Sequence, residues 1–152
     1  MELFSVREII EYAIKIEQES FAFYTQASEI IQDADGKKLV KDLAADEVDH
    51  QNRLRHLIDA EKVSLESLNK KHEIDTTLMK RIVKTANINP DSMTMDVLKI
   101  ALEREQNTEQ TYTMLMTLSN LDENIIDIFD QLRLQEKGHV NKIQFRIDHT
   151  GA

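Results

Sequence analysis

Four stretches of the chain place apolar residues three and four positions apart, the spacing of one face of an α-helix. The first opens at Ser5, where "SVRE" offers a capping box between Ser5 and Glu8, and runs to about Ile31 before "QDADG" favours a turn. The second, from about Lys37 to Glu61, carries the seam Val40, Leu43, Glu47, His50, Leu54, Leu57. The third, from about Thr94 to Ser119, carries Leu98, Ala101, Glu105, Thr108, Tyr112, Leu115. The fourth, from about Asp122 to Asp148, carries Ile125, Phe129, Leu132, Glu136, His139, Ile143. Over residues 62–92 the pattern weakens. There "TTLMKRIVKTA" offers a short helix with Leu78, Met79, Ile82 and Val83 on one side, and "NINPDS" then breaks the chain. No window alternates apolar and polar residues with period two, so no strand is expected.

The links between the first and second helices and between the third and fourth are short, which makes each pair an antiparallel hairpin. The link between the hairpins is long enough to travel the length of a bundle. The expected fold is all-α: a ferritin-like four-helix bundle of two antiparallel hairpins joined by a long crossover, one domain over residues 1–152.

Two of the seams contain what a core should not hold. Glu47 and His50 lie one turn apart on the buried stripe of the second helix, and Glu136 and His139 do the same on the fourth. An internal repeat relates them. "AIKIEQESFAFYT" (13–25) aligns with "ALEREQNTEQTYT" (101–113), matching Ala13 to Ala101, Glu17 to Glu105, Gln18 to Gln106 and Tyr24 to Tyr112. "EVDHQNRL" (47–54) aligns with "EKGHVNKI" (136–143), matching Glu47 to Glu136, His50 to His139 and Asn52 to Asn141. In each half the first helix carries a Glu with a Tyr two turns further along the same face, and the second carries Glu-x-x-His.

Glu17, Glu47, His50, Glu105, Glu136 and His139 would therefore meet at one level of the bundle. Four carboxylates and two imidazoles, with Glu-x-x-His on two helices, are the donor set of a carboxylate-bridged dinuclear metal site. Residues three apart are neighbours on a helix, so one turn offers a metal both an oxygen and a nitrogen. Four buried carboxylates without partners would repel one another and suffer a large desolvation penalty. Two divalent cations would neutralise them; without metal, some must hold protons through raised pKa values. Two such motifs, in register with a duplication, favour ligation over satisfied core polar residues. His56, His72 and His149 lack a Glu three positions before them and read as surface or loop side chains. Glu19, Glu103 and Glu109 read as solvated helix positions. Met114 and Met116 read as adaptable core packing. Gly138, inside the fourth helix, costs about 1 kcal/mol relative to Ala, and close approach near the site is a reason to keep it.

Composition narrows the chemistry. The sequence has no Cys, which removes disulfides, thiolate metal ligands and thiol catalysis and fits a reducing compartment. A net charge of −9 opposes binding to nucleic-acid backbones. "MELFSVREII" has no basic region followed by an apolar run, and no stretch approaches a membrane span, so a soluble cytoplasmic protein is expected.

At these residues the sequence resembles the rubrerythrin branch of the ferritin-like superfamily, over essentially the whole chain. The resemblance implies a di-iron centre (two iron ions, Fe2+/Fe3+) with Glu47 and Glu136 as bridging ligands. It implies Glu17 and Glu105 as terminal carboxylates, and His50 and His139 each serving one iron. Tyr24 and Tyr112 resemble the family's tyrosines that hydrogen-bond near the ligand carboxylates, where they can orient a ligand or donate a proton. A homodimer is implied as well. The sequence departs from full-length rubrerythrins in two ways. It lacks the four cysteines of a rubredoxin-like domain, so electrons would come from an external donor such as a rubredoxin or reductase. It also has Thr108 near where those proteins carry an additional Glu one turn after the third-helix ligand.

The leading expectation is a non-haem di-iron oxidoreductase reducing hydrogen peroxide or dioxygen. The alternatives are a ferroxidase or iron-handling role, manganese or zinc in place of iron, and a non-enzymatic metal-binding bundle.

Overall fold

The computed structural model describes residues 2–60, 62–77, 80 and 87–149. In chain order the described elements are β1 (Glu2–Ser5), α1 (Val6–Ile30), α2 (Ala34–Asp59), α3 (Leu65–Asn69), β2 (Lys71–Ile74), α4 (Thr94–Leu115) and α5 (Glu123–Asp148). The expected short helix with Leu78, Met79, Ile82 and Val83 lies outside the described residues.

The four long helices form the ferritin-like bundle as two hairpins, α1 packed along α2 and α4 along α5, with α2 and α5 also in contact across the bundle. α1 starts where Ser5 caps it. The Glu8 amide donates to Ser5 Oγ at 3.1 Å and the Ser5 amide donates to Glu8 Oε1 at 3.0 Å, a reciprocal capping box. The helix ends as Ile31 turns extended, and Asp33 accepts from the Gly36 amide at 2.7 Å to cap α2. This cap starts α2 at Ala34, a turn before the expected Lys37. Gly36 is required there, since a Cβ would fall 2.7 Å from Ile31 Cγ2 and 2.9 Å from the Asp33 carboxylate. α4 stops at Leu115, short of the expected Ser119, because the chain turns through Asn120 in the left-handed region (φ 58°) before Asp122 caps α5.

The expected absence of strands is corrected by the antiparallel pairing of β1 with β2, Glu2 opposite Ile74 and Ser5 opposite Lys71. Each strand has four residues and is defined by backbone pairing across the crossover, too short to impose a period of its own. The ribbon and α3 bring Leu68 and Ile74 onto the end of α1 and extend the core there.

Every seam residue named from the sequence on α2, α4 and α5 is buried. The apolar ones fall into two clusters. One gathers Ile9, Ile10, Ala13, Leu54, Leu57, Leu115, Ile125, Phe129 and Leu132, with Met114 and Met116 packed against it. The other gathers Phe23, Ala27, Ile31, Val40, Leu43, Val97, Leu98, Ala101 and Ile143. Each large aliphatic side chain buried in these layers stabilises the fold by about 1.5–3 kcal/mol. Along the helices, the acidic and imidazole positions lie between the two layers.

Candidate metal centre

The six side chains meet at that level. Glu17 comes from α1, Glu47 and His50 from α2, Glu105 from α4, Glu136 and His139 from α5, and none is more than 3% exposed. Their donor atoms form two groups, each within 4.8 Å: Glu17, Glu47, His50 and Glu136 in one, Glu47, Glu105, Glu136 and His139 in the other. Glu47 and Glu136 belong to both, and each divides its oxygens between the two. His50 Nδ1 lies 3.8 Å from Glu47 Oε2 and 3.0 Å from Glu136 Oε1. His139 Nδ1 lies 3.6 Å from Glu47 Oε1 and 3.5 Å from Glu136 Oε2. The imidazoles stack, ring centres 5.8 Å apart and 15° from parallel.

The tyrosines cross between the halves. Tyr112 of α4 donates its hydroxyl to Glu17 Oε1 at 2.6 Å, and Tyr24 of α1 donates to Glu105 Oε1. Each terminal carboxylate thus has one oxygen fixed by a phenol. Its other oxygen is turned to an imidazole: Glu17 Oε2 lies 3.2 Å from His50 Nδ1 and Glu105 Oε2 lies 3.5 Å from His139 Nδ1. Burial, reinforced by the surrounding carboxylates, raises both phenol pKa values well above their usual value, so both remain protonated donors.

The charge balance of the metal-free cluster is held by protons, as four buried carboxylates require. Burial, and then the charges of Glu136 and Glu17, push the Glu47 carboxyl well above the carboxylate range. For Glu17, burial pushes upward too, but hydrogen bonds from Glu47, His50 and Tyr112 outweigh it and the pKa is lowered. Burial would neutralise His50, yet Glu136 and Glu17 overcome it and raise its pKa to about 10. His139 is raised in the same way by Glu136 and Asp46.

The donor set fits a pair of divalent cations. Glu47 Oε1, Glu105 Oε2, both Glu136 oxygens and His139 Nδ1 are buried without a well-formed hydrogen bond, held only by the ion-pair contacts of 3.0–3.6 Å among themselves and His50, and all five point into the shared centre. A buried polar atom that lacks such a bond costs about 1–3 kcal/mol, more when charged, and five in one place would be unusual for packing alone. A family model described as Rubrerythrin matches residues 8–145. The chain belongs to the rubrerythrin family. This is a family of di-iron, ferritin-like proteins, and the buried carboxylate–imidazole cluster lies within the matched region. A solved structure of a hypothetical protein from Pyrococcus furiosus has the same fold, with a TM-score of 0.70 and 22% identity over 95% of this chain and 89% of that one. No curated protein matches the chain.

Glu19, Glu103 and Glu109 belong to neither donor group, and His56 and His149 are exposed. His72 is not a loop residue; it is half-buried in β2 opposite Phe4. Thr108 is buried, its hydroxyl donated to the Arg104 carbonyl at 2.9 Å within its own helix. Gly138 does not serve close approach: a Cβ there would meet nothing within 4 Å among the described residues.

Three residues beside the site were not expected. Asp46 accepts from His139 Nε2 at 2.9 Å, and Gln135 Oε1 lies 2.5 Å from His50 Nε2. Asp46 and Gln135 are related by the same 89-residue offset as Glu47 and Glu136, each standing just before its Glu-x-x-His motif. That alignment was the available signal. Arg104, next to Glu105, is buried over the Phe23 ring, 5.0 Å from its centre. A lone Arg in a charged stretch carries no comparable signal.

Proposed function

We propose that the chain is a di-iron oxidoreductase that reduces hydrogen peroxide or dioxygen with electrons from an external donor. The observation that supports it most is the division of Glu47 and Glu136 between the two imidazole groups, which suits carboxylates that bridge two ions. In this reading Glu17 and Glu105 are terminal ligands, and His50 and His139 each give Nδ1 to one ion. When bound, a ferrous pair supplies two electrons to the oxidant, one from each ion. Tyr24 and Tyr112 keep Glu17 and Glu105 oriented, and their protonated hydroxyls are the proton donors closest to those carboxylates. The apolar layers above and below exclude bulk water, which strengthens every electrostatic contact inside.

The sequence has no Cys to carry electrons, so a rubredoxin or a reductase is the proposed donor. The same absence supports a cytoplasmic setting. No described helix is long and apolar enough to cross a membrane. A homodimer is proposed, with exposed Leu134 and Phe145, eleven residues apart on one face of α5, as apolar surface for a second copy.

Ferrous oxidation with hand-over of ferric iron would use the same six residues. One observation favours it: Thr108, one turn beyond Glu105, donates its hydroxyl to the Arg104 carbonyl within its own helix, and Glu109, also one turn on, belongs to neither donor group. Metal analysis of protein purified without added metal, then anaerobic ferrous titration and stopped-flow mixing with each oxidant, tests both readings. Two irons per chain oxidised faster by peroxide support the peroxidase. Faster oxidation by dioxygen with release of ferric iron supports iron handling. Manganese or zinc in the purified protein would change the metal, and fewer than two metal ions per chain would overturn the dinuclear reading.

A further inference from the structure

The six donor residues and the two tyrosines of the site form equivalent halves. Glu17 with Tyr112 matches Glu105 with Tyr24, Glu47 matches Glu136, and His50 matches His139. Behind the imidazoles the match fails: His139 Nε2 is bonded to the Asp46 carboxylate, and His50 Nε2 to the Gln135 amide oxygen.

Both contacts do one thing alike. An acceptor at Nε2 holds the proton there and leaves Nδ1, the atom among the carboxylates, as the donor to a cation. They differ in strength. A hydrogen bond to an ionised acceptor is about twice as strong as one between neutral groups, and a carboxylate behind an imidazole raises the basicity of its other nitrogen. The Asp46 side chain is 49% exposed, so water screens its long-range field. Its effect therefore passes mainly through the direct bond to His139, and His50 receives no counterpart from the half-buried Gln135.

We infer that Asp46 and Gln135 are positioning residues that make the two metal positions unequal, the one served by His139 being the tighter. The inference rests on the reading that the cluster binds two metal ions. Co2+ added stepwise to metal-free protein tests it, because proton NMR then follows the strongly shifted imidazole N–H of each ligand, assigned with His50→Ala and His139→Ala. The His139 signal should rise first, with dissociation constants about 10–100-fold apart. Asp46→Asn should bring the two signals together, and the double variant Asp46→Asn/Gln135→Glu should reverse their order. Signals that rise in parallel in the unmodified protein, or an order that survives the exchange, would overturn the inference while leaving the dinuclear site standing. Binding of fewer than two Co2+ per chain would remove the site itself and the inference with it.

Discussion

Tyr112 on α4 donates its hydroxyl to Glu17 Oε1 on α1 at 2.6 Å, while its ring packs 5.7 Å from Phe129 of α5. Tyr112→Phe keeps the ring and removes only the donor, leaving a buried carboxylate oxygen without its partner. The metal-free protein should lose about 1–3 kcal/mol, read as a lower urea midpoint at unchanged slope. An unchanged midpoint would show that the contact contributes nothing to stability.

Glu47 should answer in opposite directions with and without metal. Its carboxyl is held protonated by burial and by Glu136 and Glu17, so the neutral amide of Glu47→Gln resembles the metal-free native state. Melting of the metal-free variant should be unchanged or higher. The rise in melting temperature on adding Fe2+ or Co2+ should be largely lost, because the amide offers one neutral oxygen where the carboxylate offers two charged ones. Two metals bound at undiminished affinity would remove Glu47 from the ligand set.

Metal binding should release protons. The metal-free centre holds one on Glu47 and one on His50, whose pKa is about 10, and a cation can take those donor atoms only once they are bare. Affinity should therefore rise with pH from neutrality towards about 10. Calorimetry in buffers of different ionisation enthalpy should show net proton release. Stability of the metal-free protein should run the other way. The His50 contribution is complete below its unfolded value of 6.5 and is lost as pH rises through about 10. Glu47, also raised, acts with the same sign above 4.5. Glu17, lowered, gives the opposite sign, its contribution being lost in acid. The thermal midpoint of metal-free protein should fall towards alkali, and metal should abolish that fall.

Two glycines should separate cleanly. Gly138→Ala adds a methyl into open space within a helix and should stabilise by about 0.5–1 kcal/mol. Gly36→Ala drives a Cβ against Ile31 and the Asp33 cap and should destabilise, by about 1–3 kcal/mol as an overpacked site. Chemical denaturation of both variants checks the pair. A Gly138→Ala variant that is less stable would point to a neighbour beyond the described residues.

Much of the bundle was legible because burial imposes a period. Glu47 and His50 stand out only because Val40, Leu43, Leu54 and Leu57 define the stripe they interrupt, and the duplication then supplies Glu136 and His139. What the sequence concealed depends on contacts between distant segments. β1 and β2 exist through pairing across the crossover, with four residues each. Asp46 and Gln135 sit beside the seams at ordinary polar positions, and they acquire meaning only when α2 and α5 face each other. The crossed tyrosines were visible as a spacing within each helix, but their partners lie on the opposite hairpin. Helix ends moved where a local cap decided them, at Asp33 and at Asn120.

The crossing of donors between hairpins bears on how such a chain arose. Each metal group takes three residues from one hairpin and a fourth, Glu136 or Glu47, from the other, and each phenol anchors a carboxylate it does not share a hairpin with. A half-length precursor with a single Glu, a Glu-x-x-His and a Tyr would own no complete site. Its chemistry would have started only when two identical copies met, and fusion of the two genes would have made that meeting permanent. With both halves in one chain, one can carry Asp46 where the other carries Gln135.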